Sequence, residues 1–174
     1  VEQTLRFAAD DCIGEAAVDA DLAQLMRELA GELARPGVRV RYAGPASLSY
    51  RCRPLALRRA LGNLAENAVR HGTDVTLCAS AAEGSSSGNG NDIVLAILDN
   101  GPGIPADQLE RVFEPFARLD SARCRDTAPG SSPANGGVGL GLGIARTCIE
   151  AHGGTLRLTN NATTGLTSTI TLPA

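Results

Sequence analysis

An α/β fold is predicted, on three observations. Residues 57–72, Leu-Arg-Arg-Ala-Leu-Gly-Asn-Leu-Ala-Glu-Asn-Ala-Val-Arg-His-Gly, carry Leu57, Leu61, Leu64, Ala68 and Val69 at i, i+3, i+4 spacing, the period of a core-facing helix. Residues 92–99, Asp-Ile-Val-Leu-Ala-Ile-Leu-Asp, form an apolar run of the length of a buried strand. Segments of these two kinds are interleaved along the chain, which defines the class.

The elements follow in order. Residues 1–11 read as the tail of a helix, with Leu5, Phe7 and Ala8 apolar and no N-terminal cap signal, so the chain has the look of a fragment. Asp19 or Asp21 can cap a helix over residues 22–33. Its Leu22, Leu25, Met26, Leu29 and Leu33 make one stripe, and Pro36-Gly37 stops it. Residues 38–42 alternate Val, Arg, Val, Arg, Tyr as a half-buried strand, with residues 47–51 as its short partner. Pro54 opens the central helix. Residues 73–82 make a further strand. The link from there to residues 92–99, Glu-Gly-Ser-Ser-Ser-Gly-Asn-Gly-Asn, has a composition that packs no core, and no site is assigned to it.

The central helix carries a polar message beside its apolar row. Asn63 and Asn67 stand one turn apart. Asparagine is a mediocre helix former because its amide competes for backbone hydrogen bonds, so such a pair points to a partner off the helix; the plainer alternative is that both amides meet water. After the buried strand comes Asp99-Asn100-Gly101-Pro102-Gly103-Ile104-Pro105. A strand-end carboxylate followed by two glycines lets backbone approach a flat ligand closely, and can equally be an Asp-initiated turn.

Residues 106–114 are expected to form a short helix, leading to Phe113-Glu-Pro-Phe116-Ala-Arg118. From 117 to 135 the pattern dissolves into Ser, Arg, Asp, Pro and Gly, as in a lid or binding loop. Arg118, Arg123 and Arg125 can reach phosphates from it or simply be solvated. Next stands Gly136-Gly137-Val138-Gly139-Leu140-Gly141-Leu142-Gly143, opening a helix with Leu142, Ala145 and Ile149 in a row and ending at His152-Gly153-Gly154. Glycine-rich backbone opening a helix aims N–H groups and the positive dipole end at an anion, making a candidate phosphate cradle. It is not the dinucleotide fingerprint, since no buried strand precedes it, nor a P-loop, since no Lys-Ser/Thr follows. Residues 155–160 and 166–172 alternate as a closing hairpin.

Composition narrows the class of function. A hydrophobic content of 43% suffices for a sizeable core, and 174 residues fit one domain. The net charge of −3 is spread along the chain, with no basic face for nucleic acid, and aromatic stacking groups are few: three Phe, two Tyr and no Trp. No apolar run approaches the ~20 residues of a membrane span. The cysteines Cys12, Cys52, Cys78, Cys124 and Cys148 stand singly and far apart, which predicts reduced thiols rather than a disulfide framework or zinc site.

Four pieces now stand in one order: Asn63-x-x-x-Asn67, Asp99-x-Gly101-x-Gly103, Phe113-x-x-Phe116 with its lid, and Gly137-x-Gly139-Leu140-Gly141-Leu142. This order resembles the ATP-binding catalytic domain of sensor histidine kinases, within the wider gyrase, heat-shock chaperone and mismatch-repair ATPase superfamily. The resemblance runs from about Asp21 to Pro173. It implies a two-layer α/β sandwich of the Bergerat type, a mixed sheet with helices packed on one face and ATP held between sheet, central helix and lid. Residues 1–18 would then end a preceding dimerisation helix and its linker. Residues 19–174 would be the ATP-binding domain, with a lid at 117–135.

The resemblance also implies roles. Asp99 would accept the adenine amino hydrogen, with Gly101, Gly103 and Ile104 around the ring. Asn67 would hold the Mg2+ that bridges the phosphates, and Asn63 would support that network. Arg70 matches a basic position able to contact phosphates, and His71 occupies a place often filled by an adenine-flanking aromatic. Phe116 and Arg118 would act from the lid. Gly137, Val138, Gly139, Leu140, Gly141 and Leu142 would cradle the phosphates, Val138 replacing a small hydroxyl residue frequent there.

One departure separates two chemistries. Hydrolysing members of the superfamily place a glutamate four residues before the metal-holding asparagine as general base for water; here that residue is Asn63, and an amide cannot take a proton at neutral pH. Glu66 projects about 100° round the helix from Asn67 and is not assigned as base. The γ-phosphate would thus be kept for a histidine on a dimerisation domain. Neither His71 nor His152 sits in such a helix, so the chain should bind ATP without transferring phosphate alone. The implied partners are the protein's own dimerisation and phosphoacceptor domain and a response regulator receiver domain. The fragment is expected to be soluble and monomeric. The full-length protein would be a homodimer in the bacterial inner membrane with this domain in the cytoplasm. A stand-alone ATPase, a serine/threonine anti-sigma kinase of the same superfamily, or a protein-binding module without nucleotide affinity are the alternatives.

Overall fold

In the computed structural model, residues 14–81, 92–114 and 139–174 are described. In chain order they form β1 (Val18–Asp21), α1 (Leu22–Leu33), β2 (Arg39–Ala43), β3 (Ser49–Cys52), α2 (Pro54–His71), β4 (Asp74–Ala81) and β5 (Ile93–Asp99). Two 3₁₀ turns (Ala106–Gln108 and Arg111–Phe113), α3 (Gly141–Glu150), β6 (Thr155–Asn160) and β7 (Leu166–Leu172) follow. Five strands make one mixed sheet in the order β2-β4-β5-β7-β6, with β2 and β4 parallel and the other neighbours antiparallel. The fold is therefore the α/β sandwich expected.

Alternation on β5 explains the layering. Ile93, Leu95, Ile97 and Asp99 are buried on one face, while Val94, Ala96 and Leu98 on the other are half-buried. The helices cover the first face. The predicted α2 row is buried there throughout, Leu57, Leu61, Leu64, Ala68 and Val69 being at most 5% exposed. Each such leucine contributes about 1.5–3 kcal/mol, whereas an asparagine costs a helix at most ~0.7 kcal/mol. Packing therefore holds α2 helical in spite of Asn63 and Asn67. Arg58 ties its outer face to Glu28 and Glu32 of α1.

Three expectations need correction. Residues 47–51 are not the partner of residues 38–42: β2 pairs in parallel with β4 across the α2 crossover, and β3 pairs with β1, register Val18↔Cys52 to Asp21↔Ser49. Period-two alternation fixes which face a strand buries, not which strand it joins. Residues 106–114 form two 3₁₀ turns rather than one short helix, since a segment after Pro105 is too short to repay helix nucleation. Cys148 takes part in a disulfide, whereas Cys52 and Cys78 are free as predicted. The predicted helix tail at 1–11, the 83–91 link and the 117–135 lid lie outside the described residues.

The two predicted helix starts differ in how they are capped. Asp21 caps α1 as expected, accepting from the N–H groups of Ala23 and Gln24, and from Leu48 besides. The start of α2 has Arg53 at its N-cap with no capping side chain. Glu15 supplies the cap from upstream, its two carboxylate oxygens accepting from Leu55 N–H and Ala56 N–H at 2.9 Å each. Arg53 in turn donates through Nε to the Glu15 carbonyl and through Nη1 to the Ala151 carbonyl. His152 closes the junction. Its Nε2 accepts the Arg53 N–H at 3.1 Å, so Nδ1 carries the proton donated to the Cys148 carbonyl at 2.7 Å. That double engagement gives His152 a structural role.

Candidate nucleotide site

Asp99 ends the most central strand with its side chain on the helix-covered face, 8% exposed. Its Oδ1 accepts from Gly101 N–H at 2.8 Å and from Leu166 N–H at 3.2 Å. The Asp-initiated turn anticipated from the sequence is therefore present, and it leaves Oδ2 as the remaining acceptor. The β6–β7 turn clamps the same strand end. Asn161 Nδ2 donates to the Asp99 carbonyl, and Gly165, at φ +103°, lies so close that a Cβ there would run into that carbonyl.

The glycines after Asp99 have reasons inside the fold. A Cβ on Gly101 would stand 2.8 Å from the His71 carbonyl oxygen, and Gly103, at φ +73°, faces Asn160. Asn160 holds the loop like a strand neighbour: its Oδ1 accepts from Ile104 N–H at 2.9 Å and its Nδ2 donates to the Ile104 carbonyl at 2.7 Å. The Ile104 side chain is buried in a small cluster with Val112, Leu158 and Leu166, against which Leu142 and Phe113 pack. Asn100 ties the loop to the end of α2, its Oδ1 accepting from Thr73 and Asp74 N–H. Asn160 and Asn161 were not singled out from the sequence, where an Asn-Asn pair ahead of a glycine reads as an ordinary turn.

The end at the α3 N-terminus is built differently. α3 starts at Gly141, directly beside α2: a Cβ on Gly141 would be 3.7 Å from the Asn63 side chain. Gly139 takes φ +73° ahead of this start. Asn63 Nδ2 is buried with no hydrogen-bond partner, next to the N-terminus of α3. A buried amide donor beside helix N–H groups lacks an acceptor, a place that an anionic oxygen could fill. Asn67, half-buried one turn on, makes no side-chain hydrogen bond among the described residues. Its amide oxygen suits a hard cation that keeps waters and phosphates as its other ligands. No group of three or more His, Cys, Asp or Glu is placed to hold a metal among the described residues.

The remaining predicted positions divide simply. Arg70 and His71 are exposed at the end of α2, and Leu140 and Leu142 are half-buried at the start of α3. Phe116, Arg118, Gly137 and Val138 lie outside the described residues. Arg146 of α3 stacks over Phe113 at 4.9 Å from the ring centre and bridges Glu110 and Glu150, fixing the turn that leads toward residue 114. Burial pushes the Cys52 and Cys78 thiols up, so neither is a thiolate nucleophile at neutral pH.

Comparison with known proteins agrees with this fold. Residues 52–174 match the model of the family described as histidine kinase-, DNA gyrase B-, and HSP90-like ATPase. The sensor histidine kinase GtrS of Pseudomonas aeruginosa is 36% identical over 173 residues, covering 99% of this chain and 32% of that protein. The chain thus spans about a third of that relative's length. Among solved structures, full-length ShkA in complex with AMPPNP superposes with a TM-score of 0.72 at 26% identity, covering 91% of this chain and 31% of that one. The ATP-binding domain of PrrB from Mycobacterium tuberculosis superposes at 0.67 and 28% identity, covering 92% and 98%. With a family match over most of its length and relatives of this kind, the chain belongs to the histidine kinase-, DNA gyrase B- and HSP90-like ATPase family, as an ATP-binding catalytic domain of the sensor histidine kinase type.

Proposed function

We propose that the domain binds ATP with Mg2+ and presents the γ-phosphate to a histidine on the protein's own dimerisation domain, from which it passes to a response regulator. The observation that carries this reading is Asn63. At the place facing the α3 N-terminus the chain offers a buried amide donor and not a carboxylate. An amide steadies phosphate oxygens but takes no proton from water. Glu66, exposed on α2, borders a cleft of about 330 Å³ shared with Leu29, Leu55, Arg58 and Asn63, away from the Asp99 end.

Asn67 would hold the Mg2+, which neutralises charge across the phosphates when bound. Asp99 Oδ2 would take the adenine amine, with Gly101, Gly103 and Ile104 shaping the base end and His71 at its flank, while Arg70 would contact the phosphates. Gly137 to Leu142 would receive the phosphates, joined by Arg118 from a lid at 117–135 that Phe116 would anchor at its first end. Residues 1–18 would connect to the dimerisation helix, and the full-length protein would be a membrane-anchored homodimer with this domain in the cytoplasm. No helix of the described residues is long and apolar enough to cross a membrane.

The test is calorimetry of ATP binding with and without Mg2+, followed by phosphotransfer from labelled ATP with an added dimerisation domain. Binding strengthened by Mg2+ in the wild type and not in Asn67→Ala, with label reaching protein only when the acceptor domain is present, is the expected result. Steady release of inorganic phosphate at one rate with or without acceptor would overturn it in favour of a stand-alone ATPase.

A further inference from the structure

The β6–β7 hairpin grips both ends of the loop that follows β5. At the near end Leu166 N–H donates to Asp99 Oδ1 at 3.2 Å, and Asn161 Nδ2 donates to the Asp99 carbonyl at 3.1 Å. At the far end the Asn160 amide meets the main chain of Ile104, on its N–H at 2.9 Å and on its carbonyl at 2.7 Å. The hairpin is itself braced. Asn161 N–H donates to the Gly165 carbonyl, and Thr167 Oγ1 donates to Asn161 Oδ1 at 2.6 Å.

The two grips differ in redundancy. Gly101, Leu166 and Asn161 all hold Asp99, so no single side-chain change frees that end. The main chain at Ile104 is held through the one exposed side chain of Asn160. An amide matches the donor and acceptor of a peptide unit at once, which a carboxylate cannot do. The fit is close: a Cβ on Gly103, at φ +73°, would stand 2.6 Å from Asn160 Oδ1. Burial among Val112, Leu158 and Leu166 secures the Ile104 side chain, and the Asn160 amide sets the direction of the main chain that carries it.

Resting on the reading that Gly101, Gly103 and Ile104 shape the base end, we infer that Asn160 is a positioning residue for adenine. It acts through Ile104, holding its main chain as a neighbouring strand would, so that residues 100–104 receive the ring without first being ordered. Gly101 N–H, which orients the Asp99 carboxylate, rides on the same loop. Freeing the far end therefore also loosens the group that reads the exocyclic amine. Asn63 and Asn67 stand on α2, a separate element, so the response to Mg2+ is independent of this clamp.

The experiment compares Asn160→Ala and Asn160→Asp with wild type by calorimetry on the whole chain, at a temperature where circular dichroism shows all three folded. The probes are ATP with and without Mg2+, and purine riboside triphosphate, which lacks the amine. Asn160→Ala should bind ATP about fivefold more weakly, the worth of one hydrogen bond. Its preference for ATP over the purine analogue should narrow, and its strengthening by Mg2+ should match wild type. Asn160→Asp, alike in shape, keeps the acceptor for Ile104 N–H but sets an oxygen against the Ile104 carbonyl, so it should bind no better than Asn160→Ala. Wild-type affinity in either variant, or a loss shared equally by the two nucleotides, would overturn the role of Asn160 while leaving the nucleotide site intact. A wild-type chain that bound neither nucleotide would overturn both readings together.

Discussion

The two ends of the candidate site are finished to different degrees. At the end proposed for the base the elements are tied before any ligand arrives: Asp99 Oδ1 holds two N–H groups, Asn160 and Asn161 clamp the loop and strand, and Gly165 closes against the Asp99 carbonyl. At the end proposed for the phosphates the chain leaves a donor open, with Asn63 Nδ2 buried and unpaired beside the start of α3. The lesson is thermodynamic. A pre-tied pocket selects a base without reordering, whereas open donors are satisfied only by the charged group that fills them.

The contrast can be broken first at Gly165. Gly165→Val forces a β-branched residue to φ +103° and drives it into the Asp99 carbonyl, so chemical denaturation should report a loss of about 3 kcal/mol or more. A loss below ~1 kcal/mol would mean the hairpin does not clamp the base end. Next comes Asp99→Asn. An amide oxygen can keep both bonds at Oδ1 while the amide nitrogen confronts the adenine amine. Calorimetry should therefore show ATP binding weakened more than tenfold, ~1.4 kcal/mol, in a folded domain; unchanged affinity removes Asp99 from the site.

Asn63→Leu sharpens the other half. Removing an unpaired buried donor should leave stability within about 1 kcal/mol of wild type, while ATP binding falls several-fold. A large destabilisation with normal binding would make Asn63 a structural residue. The smallest effect lies outside the site. The N–H of Leu48, together with those of Gln24 and Ala23, holds the Asp21 carboxyl below its ordinary 3.8, against some desolvation. A lowered folded value gives stability that is present above the unfolded value and lost as pH falls below about that point. Asp21→Asn should flatten the acid limb of melting temperature against pH below roughly pH 4; identical acid limbs would contradict the role of the Leu48 bond.

What the sequence disclosed was local. The α2 row, the Asn63/Asn67 pair, the Asp99 turn and the glycine-led start of α3 each lie within one element or one loop, where spacing alone carries the information. What it concealed was the choice of distant partner. Asn160 meets Ile104 across 56 positions, and β2 joins β4 rather than β3. Period-two patterns name a face and remain silent on the neighbour. The sequence leaves the glycines of the Asp99 loop open between ligand approach and a simple turn; the His71 carbonyl and Asn160 supply a reason inside the fold.

Glu15 makes the folded unit larger than the binding unit. The carboxylate that closes the first turn of α2 comes from 40 positions upstream, and β1 then runs from it along β3. A chain trimmed to start at Asp19 would keep every residue expected to touch nucleotide and still leave the Leu55 and Ala56 N–H groups without their acceptor. Seen as a mechanical object, the segment is a handle. Tension applied upstream of Glu15 pulls first on the end of the helix that carries both asparagines, so the domain has a defined point at which an outside force is felt.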